Sequence, residues 1–414
     1  MVYLLDYFNN VWERMKFGKW SLLMLPVLFS IIGIYISIST LDRNHIPFKS
    51  FAVENVLMPL VFFVIGFLVP VSMWRRYAIR FSQGQKILWN KDGFSFAFLL
   101  LLFAMFLQIF AIWGDGSWEK IGPAMDGNAI TQMRRQLSVF SRPFQVGEFV
   151  KIFLMIFTAK LMVDMKINGQ MRLCREFFGF PLLAFISVGF FTFLMPNYSM
   201  MIIYMLLIFF MLFLQEMSIK PRIVMIAALV IPAVIMYSIA NLDKGSSIAG
   251  IHGINRIWSF FNEGGTGNEQ QNEALQAMAD GGIIGKGLDR GTIKYRLFGA
   301  RNDFAYSVLG EELGMWLMLP ITLAMAGFLF ACFLIAAKIN AKDRDSMFAQ
   351  NIAWGIAIIF TMNILFHIGV NLRLLPNTGQ PLPFVSSGGA NLAMNFFLLG
   401  MLVQLSSLTG DKTK

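Results

Sequence analysis

Charged side chains are scarce in this chain: Asp, Glu, Lys and Arg make up 14% of its 414 residues, against 57% hydrophobic residues. So little charge cannot cover a soluble globular surface, which excludes a water-soluble enzyme or binding domain. Cysteine is nearly absent. Cys174 and Cys332 lie far apart in sequence, which excludes a disulfide scaffold or a Cys-rich zinc site and predicts two free thiols. The three histidines, His45, His252 and His367, all map to the outward half and lack the spacing of metal ligands. No phosphate-cradling loop, dinucleotide fingerprint or Ser-His-Asp order is present. The formal net charge is +10, but the basic residues sit in short links between apolar runs and not in one patch, so nucleic acid is not an expected partner.

What is abundant is apolar sequence in runs of about twenty residues, the length that spans a bilayer. Such runs fall near 20–40, 52–73, 93–113, 145–163, 178–195, 198–215, 221–240, 315–337, 349–370 and 384–408. The expected fold is therefore an all-α polytopic membrane protein of about ten transmembrane helices. The first run follows Asp6, Glu13, Arg14, Lys16 and Lys19 without a small-residue cleavage site, and reads as a retained start-transfer helix. An even number of spans puts both termini on one side. Links and tails on that side hold 19 Lys and Arg residues, while the opposite side holds 14 over considerably more chain. The termini, 1–19 and 409–414, are thus expected in the cytoplasm.

That orientation turns a long polar connection outward between helices 7 and 8, spanning 241–303 and leading into Glu311 and Glu312. Loops of such length are functional more often than incidental. Within it, NEQQNEALQAMADGG places Ala274, Leu275 and Met278 at helical spacing before a Gly281-Gly282 stop, predicting a short helix on the membrane surface. Asp303 sits where an N-cap would be. On a regular helix Glu311 falls about 80° around from it and Glu312 about 180°, so the three carboxylates cannot share one face and are expected to do different work.

Two further stretches stand out. In RRQLSVFSRPFQVGEFVKI, Arg134, Arg135 and Arg142 lie outside the bilayer, while Glu148 and Lys151, at i and i+3, begin a span. They either form a self-neutralising pair or, with the arginines, bind an anionic headgroup or pyrophosphate. In LLPNTGQPLPFVSSGGAN (374–391), three prolines before Ser-Ser-Gly-Gly cannot begin a regular helix, and a broken entry of small residues can line a cavity.

GGIIGKGLD, then NDFAYSVLGEELG, then LLPNTGQPLPFVSSGG, with RR…FQVGEFVK upstream, together resemble the SEDS family (FtsW, RodA, SpoVE) over essentially the whole chain. It departs from the family pattern at Gln136, Val146-Gly147, Asn197 and Ser387. Gln380, in Thr-Gly-Gln-Pro-Leu-Pro, is more like FtsW-type members than RodA. The resemblance implies a single transmembrane domain over 1–414 that polymerises lipid II at the outer face of the bacterial cytoplasmic membrane, in septal synthesis during division. It also implies undecaprenyl-pyrophosphate-linked glycan as a ligand, and a class B penicillin-binding protein and divisome proteins as partners. By resemblance Asp303 is the catalytic aspartate, and Arg135, Glu148 and Lys151 belong to the substrate region. Arg142, Lys286 and Lys294 join them as candidate pyrophosphate ligands, with Glu311, Glu312, Ser386, Gly388 and Gly389 in support.

The chemistry agrees. A sugar hydroxyl must lose a proton as it attacks an anomeric carbon, and a carboxylate within reach serves as base. The departing pyrophosphate gathers charge that a cation, or a divalent Mg or Mn ion held at Asp303, would stabilise. No second carboxylate at a fixed short spacing is evident, so single displacement with inversion is expected. An elongation role, a flippase for lipid-linked precursors and an inactive scaffold are the alternatives. The flippase should show a repeated half with paired broken helices, and no internal repeat is found.

Overall fold

A computed structural model of the chain describes residues 20–39, 53–69, 103, 106–108, 136–139, 142–167, 198–214, 222–223, 226–227, 266–297, 299–387 and 389–409. The chain forms two compact units, one of Met1–Val71 with Thr266–Lys414 and one of Ser72–Gly265. The expected spans near 93–113, 178–195 and 221–240 lie almost wholly outside the described residues, as do Arg134, Arg135, His45, His252 and Cys174. Cys332 is a buried free thiol.

The second unit contains a short hairpin in which β1 (Gln136–Val139) pairs antiparallel with β2 (Arg142–Gln145), Gln136 opposite Gln145. It runs directly into α3 (Val146–Ile167), with Glu148 in the first turn and Lys166 in the last, each favourable to the helix dipole. On α4 (Tyr198–Phe213) the buried Tyr204 hydroxyl donates to the Gly147 carbonyl at 3.0 Å. A β-carbon at Gly147 would stand 3.2 Å from that hydroxyl and from Met200, so a side chain there would crowd the contact.

The first unit holds the remaining helices: α1 (Trp20–Ser39), α2 (Met58–Leu68, preceded by a π turn at Val53–Leu57), α5 (Thr266–Gly281), α6 (Ala305–Lys338), α7 (Arg344–Asn371) and α8 (Gly389–Ser406). Three of these, α6, α7 and α8, are long and apolar enough to cross a membrane. The exposed apolar residues of α6, among them Met315, Trp316, Leu319, Leu323 and Phe330, form the kind of surface that faces lipid, and aromatic residues near a span end suit the interface. Helices α2 and α8 approach at Gly66 and Gly400, where any β-carbon would run into the backbone of the opposite helix. Small residues at such crossings are the usual means of close packing in a bilayer. Gln404 then donates to the Phe67 and Val69 carbonyls at 3.0 and 3.2 Å, satisfying the end of α2.

At its cytoplasmic-side expectation, α7 begins with a capping box: Asp343 accepts from the Asp345 N–H, while Ser346 accepts from the Asp343 N–H. The α5 helix occupies the stretch expected to be helical and stops at Gly281, with Gly282 at φ 57°. Two expected boundaries move. The helix expected at 315–337 begins ten residues earlier, at Ala305, and is broken at Gly314 (φ 71°, ψ 175°). Its N-cap is Phe304, without a side-chain cap bond, so Asp303 is not the N-cap. The last helix starts at Gly389 rather than near 384, because residues 372–387 fold as irregular chain, buried over 380–386.

Phe384 lies in the buried part of that irregular segment, at φ 63°. A bulky residue tolerates this conformation only where its surroundings over-determine it. Here its ring meets Phe328 of α6 at 5.7 Å, Phe360 of α7 at 5.4 Å and Phe396 of α8 at 5.4 Å between centroids. Three helices therefore fix the entry segment from one ring.

Candidate active site

The start of α6 lacks a local cap, yet its first N–H groups are satisfied. The Tyr306 N–H donates to His367 Nε2 at 3.3 Å, and the Ser307 N–H donates to Asn371 Oδ1 at 3.0 Å. Both acceptors come from α7, at i and i+4, hence on one helix face. Because Nε2 accepts, the proton of the neutral His367 ring resides on Nδ1, which donates to the Gln380 carbonyl at 2.8 Å. Asn371 uses its other half as a donor: Nδ2 reaches the Asp303 carbonyl at 3.0 Å and the His367 carbonyl at 2.8 Å. His367 and Asn371 are fully buried.

Asp303 itself is half-buried, in a turn closed by its N–H donating to the Gly299 carbonyl at 2.9 Å. Two glycines with positive φ flank its carboxylate, Gly299 (φ 79°) and Gly379 (φ 62°). A β-carbon on either would lie 3.5 Å from Asp303 Oδ2. The turn is held from the other side by Ser386, whose hydroxyl donates to the Asn302 carbonyl at 2.6 Å and accepts from the Leu382 N–H at 2.8 Å. Ser387 adds two bonds, from its N–H to the Arg301 carbonyl and from its hydroxyl to Asn302 Oδ1. Asp303 is thus built from three segments: the turn 299–304, the end of α7 and the proline-rich chain 377–387.

Glu311 and Glu312 serve the long loop. Glu311 is buried, and its Oε1 accepts from the Lys286 ammonium at 2.9 Å and from the Thr292 and Ile293 N–H groups at 2.7 and 3.2 Å. Glu312 accepts from Lys294 at 2.7 Å and from the Tyr35 hydroxyl of α1 at 2.7 Å. Tyr35 in turn accepts from the Asp289 N–H at 2.8 Å. The break at Gly314 frees backbone for the same purpose: the Met315 and Trp316 N–H groups donate to the Gly282 and Ile283 carbonyls. The Lys286 and Gly287 N–H groups return bonds to the Glu311 and Glu312 carbonyls.

Lys286 and Lys294, expected as pyrophosphate ligands, are both engaged by protein carboxylates. Lys286 also bonds Asp280 at 3.1 Å and keeps partial exposure, whereas the Lys294 side chain is sealed from solvent between Asp289 and Glu312. Burial alone would lower the Lys294 ammonium, but its bonds to Glu312 and Asp289 outweigh that and hold it above the ordinary lysine range. In the other unit Glu148 and Lys151 form their i,i+3 ion pair at 2.9 Å, both buried. Arg142 opens β2 opposite Val139. Arg135 and Gly388 lie outside the described residues. Gly389 opens α8, where a β-carbon would stand 3.3 Å from the Glu54 side chain.

Among the described residues no group of three or more His, Cys, Asp or Glu side chains is placed to hold a metal. His367 and Asn371 were not among the expected site residues. Their signal was present, since polar side chains spaced i and i+4 in an apolar helix mark function by default.

Residues 14–410 match the family model for FtsW, RodA and SpoVE, described as cell cycle proteins. The probable peptidoglycan glycosyltransferase FtsW of Dichelobacter nodosus is 24% identical over 414 residues, covering 96% of this chain and 92% of that protein. That of Borreliella burgdorferi is 32% identical over 233 residues, covering 55% of this chain and 59% of its own length. Among solved structures, a chain of a peptidoglycan synthase complex that coordinates polymerization and crosslinking aligns with a TM-score of 0.66 at 17% identity, covering 94% of this chain and 97% of that one. The rod shape determining protein RodA of Thermus thermophilus aligns with a TM-score of 0.57 at 16% identity, covering 94% and 96%. These neighbours share the polytopic helical fold.

Proposed function

Because the chain belongs to the FtsW, RodA and SpoVE family of cell cycle proteins, we propose that it polymerises lipid II into glycan strands, with Asp303 as the general base. It is a peptidoglycan glycosyltransferase of the FtsW kind and a multi-pass protein of the bacterial cytoplasmic membrane. The observation that carries the role of Asp303 is its setting: a partly exposed residue whose carboxylate lies between two glycines, with its backbone fixed by Asn371. A sugar hydroxyl can approach such a carboxylate closely, and general-base assistance is worth about 10²- to 10⁴-fold.

In the reaction the acceptor hydroxyl attacks the anomeric carbon, its proton passes to Asp303, and the bond from that carbon to the lipid pyrophosphate breaks. One displacement inverts the anomeric centre. Within the second unit Glu148 orients Lys151 through their ion pair, and by the family resemblance Lys151, Arg135 and Arg142 are the candidate cations for a pyrophosphate. Lys286 and Lys294 hold the loop through Glu311 and Glu312. Ser386 keeps the entry to α8 close to the turn that bears Asp303. With Glu311 and Glu312 committed to lysines, Asp303 is the carboxylate that would hold a divalent ion, which would supply charge neutralisation.

Ten spans, cytoplasmic termini and an outward loop over 241–303 follow from the apolar runs and the distribution of Lys and Arg. The relatives' names favour a septal role in division over elongation. The complex of polymerising and crosslinking activities favours a class B penicillin-binding protein as partner. The test is polymerisation of fluorescent lipid II by the purified protein, with and without that partner, beside Asp303→Ala. Long glycan chains that disappear in a folded, partner-binding variant support the reading. If wild type and variant make no polymer yet both carry labelled lipid II across liposomes, the flippase replaces it.

A further inference from the structure

The bonding around His367 and Asn371 exceeds what capping requires. Capping uses these side chains only as acceptors, His367 Nε2 for the Tyr306 N–H and Asn371 Oδ1 for the Ser307 N–H. Each side chain then spends its donor on a different segment. Asn371 Nδ2 holds the carbonyl of Asp303, and His367 Nδ1 holds the carbonyl of Gln380, the residue after Gly379. Gly379 is one of the two glycines beside the Asp303 carboxylate. One face of α7 therefore fixes the backbone of Asp303 and, independently, the backbone of the wall that faces it.

We propose that Asn371 and His367 are positioning residues that set the distance between the Asp303 carboxylate and the turn at Gly379, and through it the approach of the acceptor hydroxyl. This rests on Asp303 being the general base. Neither side chain touches substrate: both are fully buried. Their effect reaches chemistry through geometry, and a misplacement of about 1 Å at a reacting group can cost about 10²-fold in rate.

Asn371 also lets capping and positioning be separated. Asn371→Asp keeps an oxygen for the Ser307 N–H and hydroxyl, which it now accepts at 3.0 and 2.6 Å, but has no donor for the Asp303 carbonyl. His367→Gln keeps a polar group at the Nε2 position and loses the Nδ1 donor to Gln380.

The experiment compares wild type, Asn371→Asp, His367→Gln, Asn371→Ala and Asp303→Ala as full chains with the class B partner, using lipid II polymerisation and thermal unfolding. Asn371→Asp, whose buried carboxylate faces the Asp303 and His367 carbonyls, is expected to unfold at a lower temperature and His367→Gln near the wild-type temperature; per folded molecule both are expected to lose about tenfold or more in kcat and to keep KM for lipid II within about twofold. Asn371→Ala, which loses the cap as well, should fall in both stability and rate. Wild-type kcat in folded Asn371→Asp and His367→Gln, with Asp303→Ala inactive, overturns the positioning role and leaves the general base standing. A loss that follows only the folded fraction, with kcat per folded molecule unchanged, also overturns it. Polymerisation by Asp303→Ala at the wild-type rate overturns the general-base reading itself.

Discussion

Lys294 Nζ lies 2.7 Å from Glu312 Oε1, and neither side chain is reached by solvent. The pair joins the long loop to the first turns of α6, and Tyr35 brings α1 into the same cluster through the other oxygen of Glu312. Taking two charges out of water is costly, and their attraction offsets it only while both are present with their remaining bonds made. Glu312→Ala should therefore destabilise the first unit by about 3–5 kcal/mol, because it leaves Lys294 buried with Asp289 alone. The double variant Lys294→Met with Glu312→Gln should recover much of that loss. Thermal unfolding of wild type, Lys294→Met, Glu312→Gln and the double variant in detergent gives the coupling directly, and additive single effects would show that the pair is not the unit of stability.

The same lysines set a pH dependence. Lys286 is raised by its bond to Glu311, and Lys294 is raised by Glu312 and Asp289 against the pull of burial. A group whose folded value lies above its unfolded value, about 10.4 for lysine, contributes fully below the unfolded value. That contribution disappears as pH rises through the folded value. Residues 282–297 should thus resist limited subtilisin digestion evenly from pH 7 to about 9.5 and lose protection above about pH 10.4. Protection that already declines between pH 7 and 9 would mean that these lysines do not hold the loop.

Gly314 has a conformation that only glycine adopts comfortably, φ 71° and ψ 175°, and a β-carbon there would enter the backbone of Ile283–Gly285. Gly314→Ala should cost about 1–3 kcal/mol from the dihedral alone, and the clash should push the loop off α6. The expected readout is a lowered unfolding temperature together with a new protease-sensitive site near Gly285. Retention of both wild-type behaviours would show that the break in α6 does not govern loop attachment.

The parts of this architecture that depend on hydrophobic length were legible in the sequence. The runs at 20–40 and 198–215 appear as helices 20–39 and 198–213, and 349–370 lies inside 344–371, because apolar content over about twenty residues is itself the physical requirement for a span. The start of α6 was not legible. Its first N–H groups are satisfied by His367 and Asn371, more than sixty residues later, and no local cap marks it. Lys286 and Lys294 read as free cations in a polar loop, since a sequence does not show that Glu311 and Glu312 fold back to meet them. Asp303 stood out as a carboxylate at the edge of an apolar run, but its cradle depends on Gly379, which arrives only after α6 and α7 have crossed. Local chemistry was readable from the sequence, whereas the long-range partners were not.

Gly379→Ala tests that cradle. At φ 62° an alanine is strained by about 1–2 kcal/mol, yet its β-carbon would stand 3.5 Å from Asp303 Oδ2, an ordinary contact that requires no rearrangement. The variant should fold, with a modest fall in unfolding temperature. Its methyl group would occupy space beside the carboxylate where, with Asp303 as the proposed general base, an acceptor hydroxyl would arrive within about 3 Å to hand over its proton. Polymerisation should therefore fall by about tenfold or more, well beyond the loss of folded protein, while binding of the class B partner is retained. Gly66→Ala provides the contrast: its β-carbon meets Phe397 on α8, far along the chain from Asp303, so its activity should follow the folded fraction. If Gly379→Ala polymerises lipid II at the wild-type rate per folded molecule, the acceptor does not approach Asp303 from the Gly379 side.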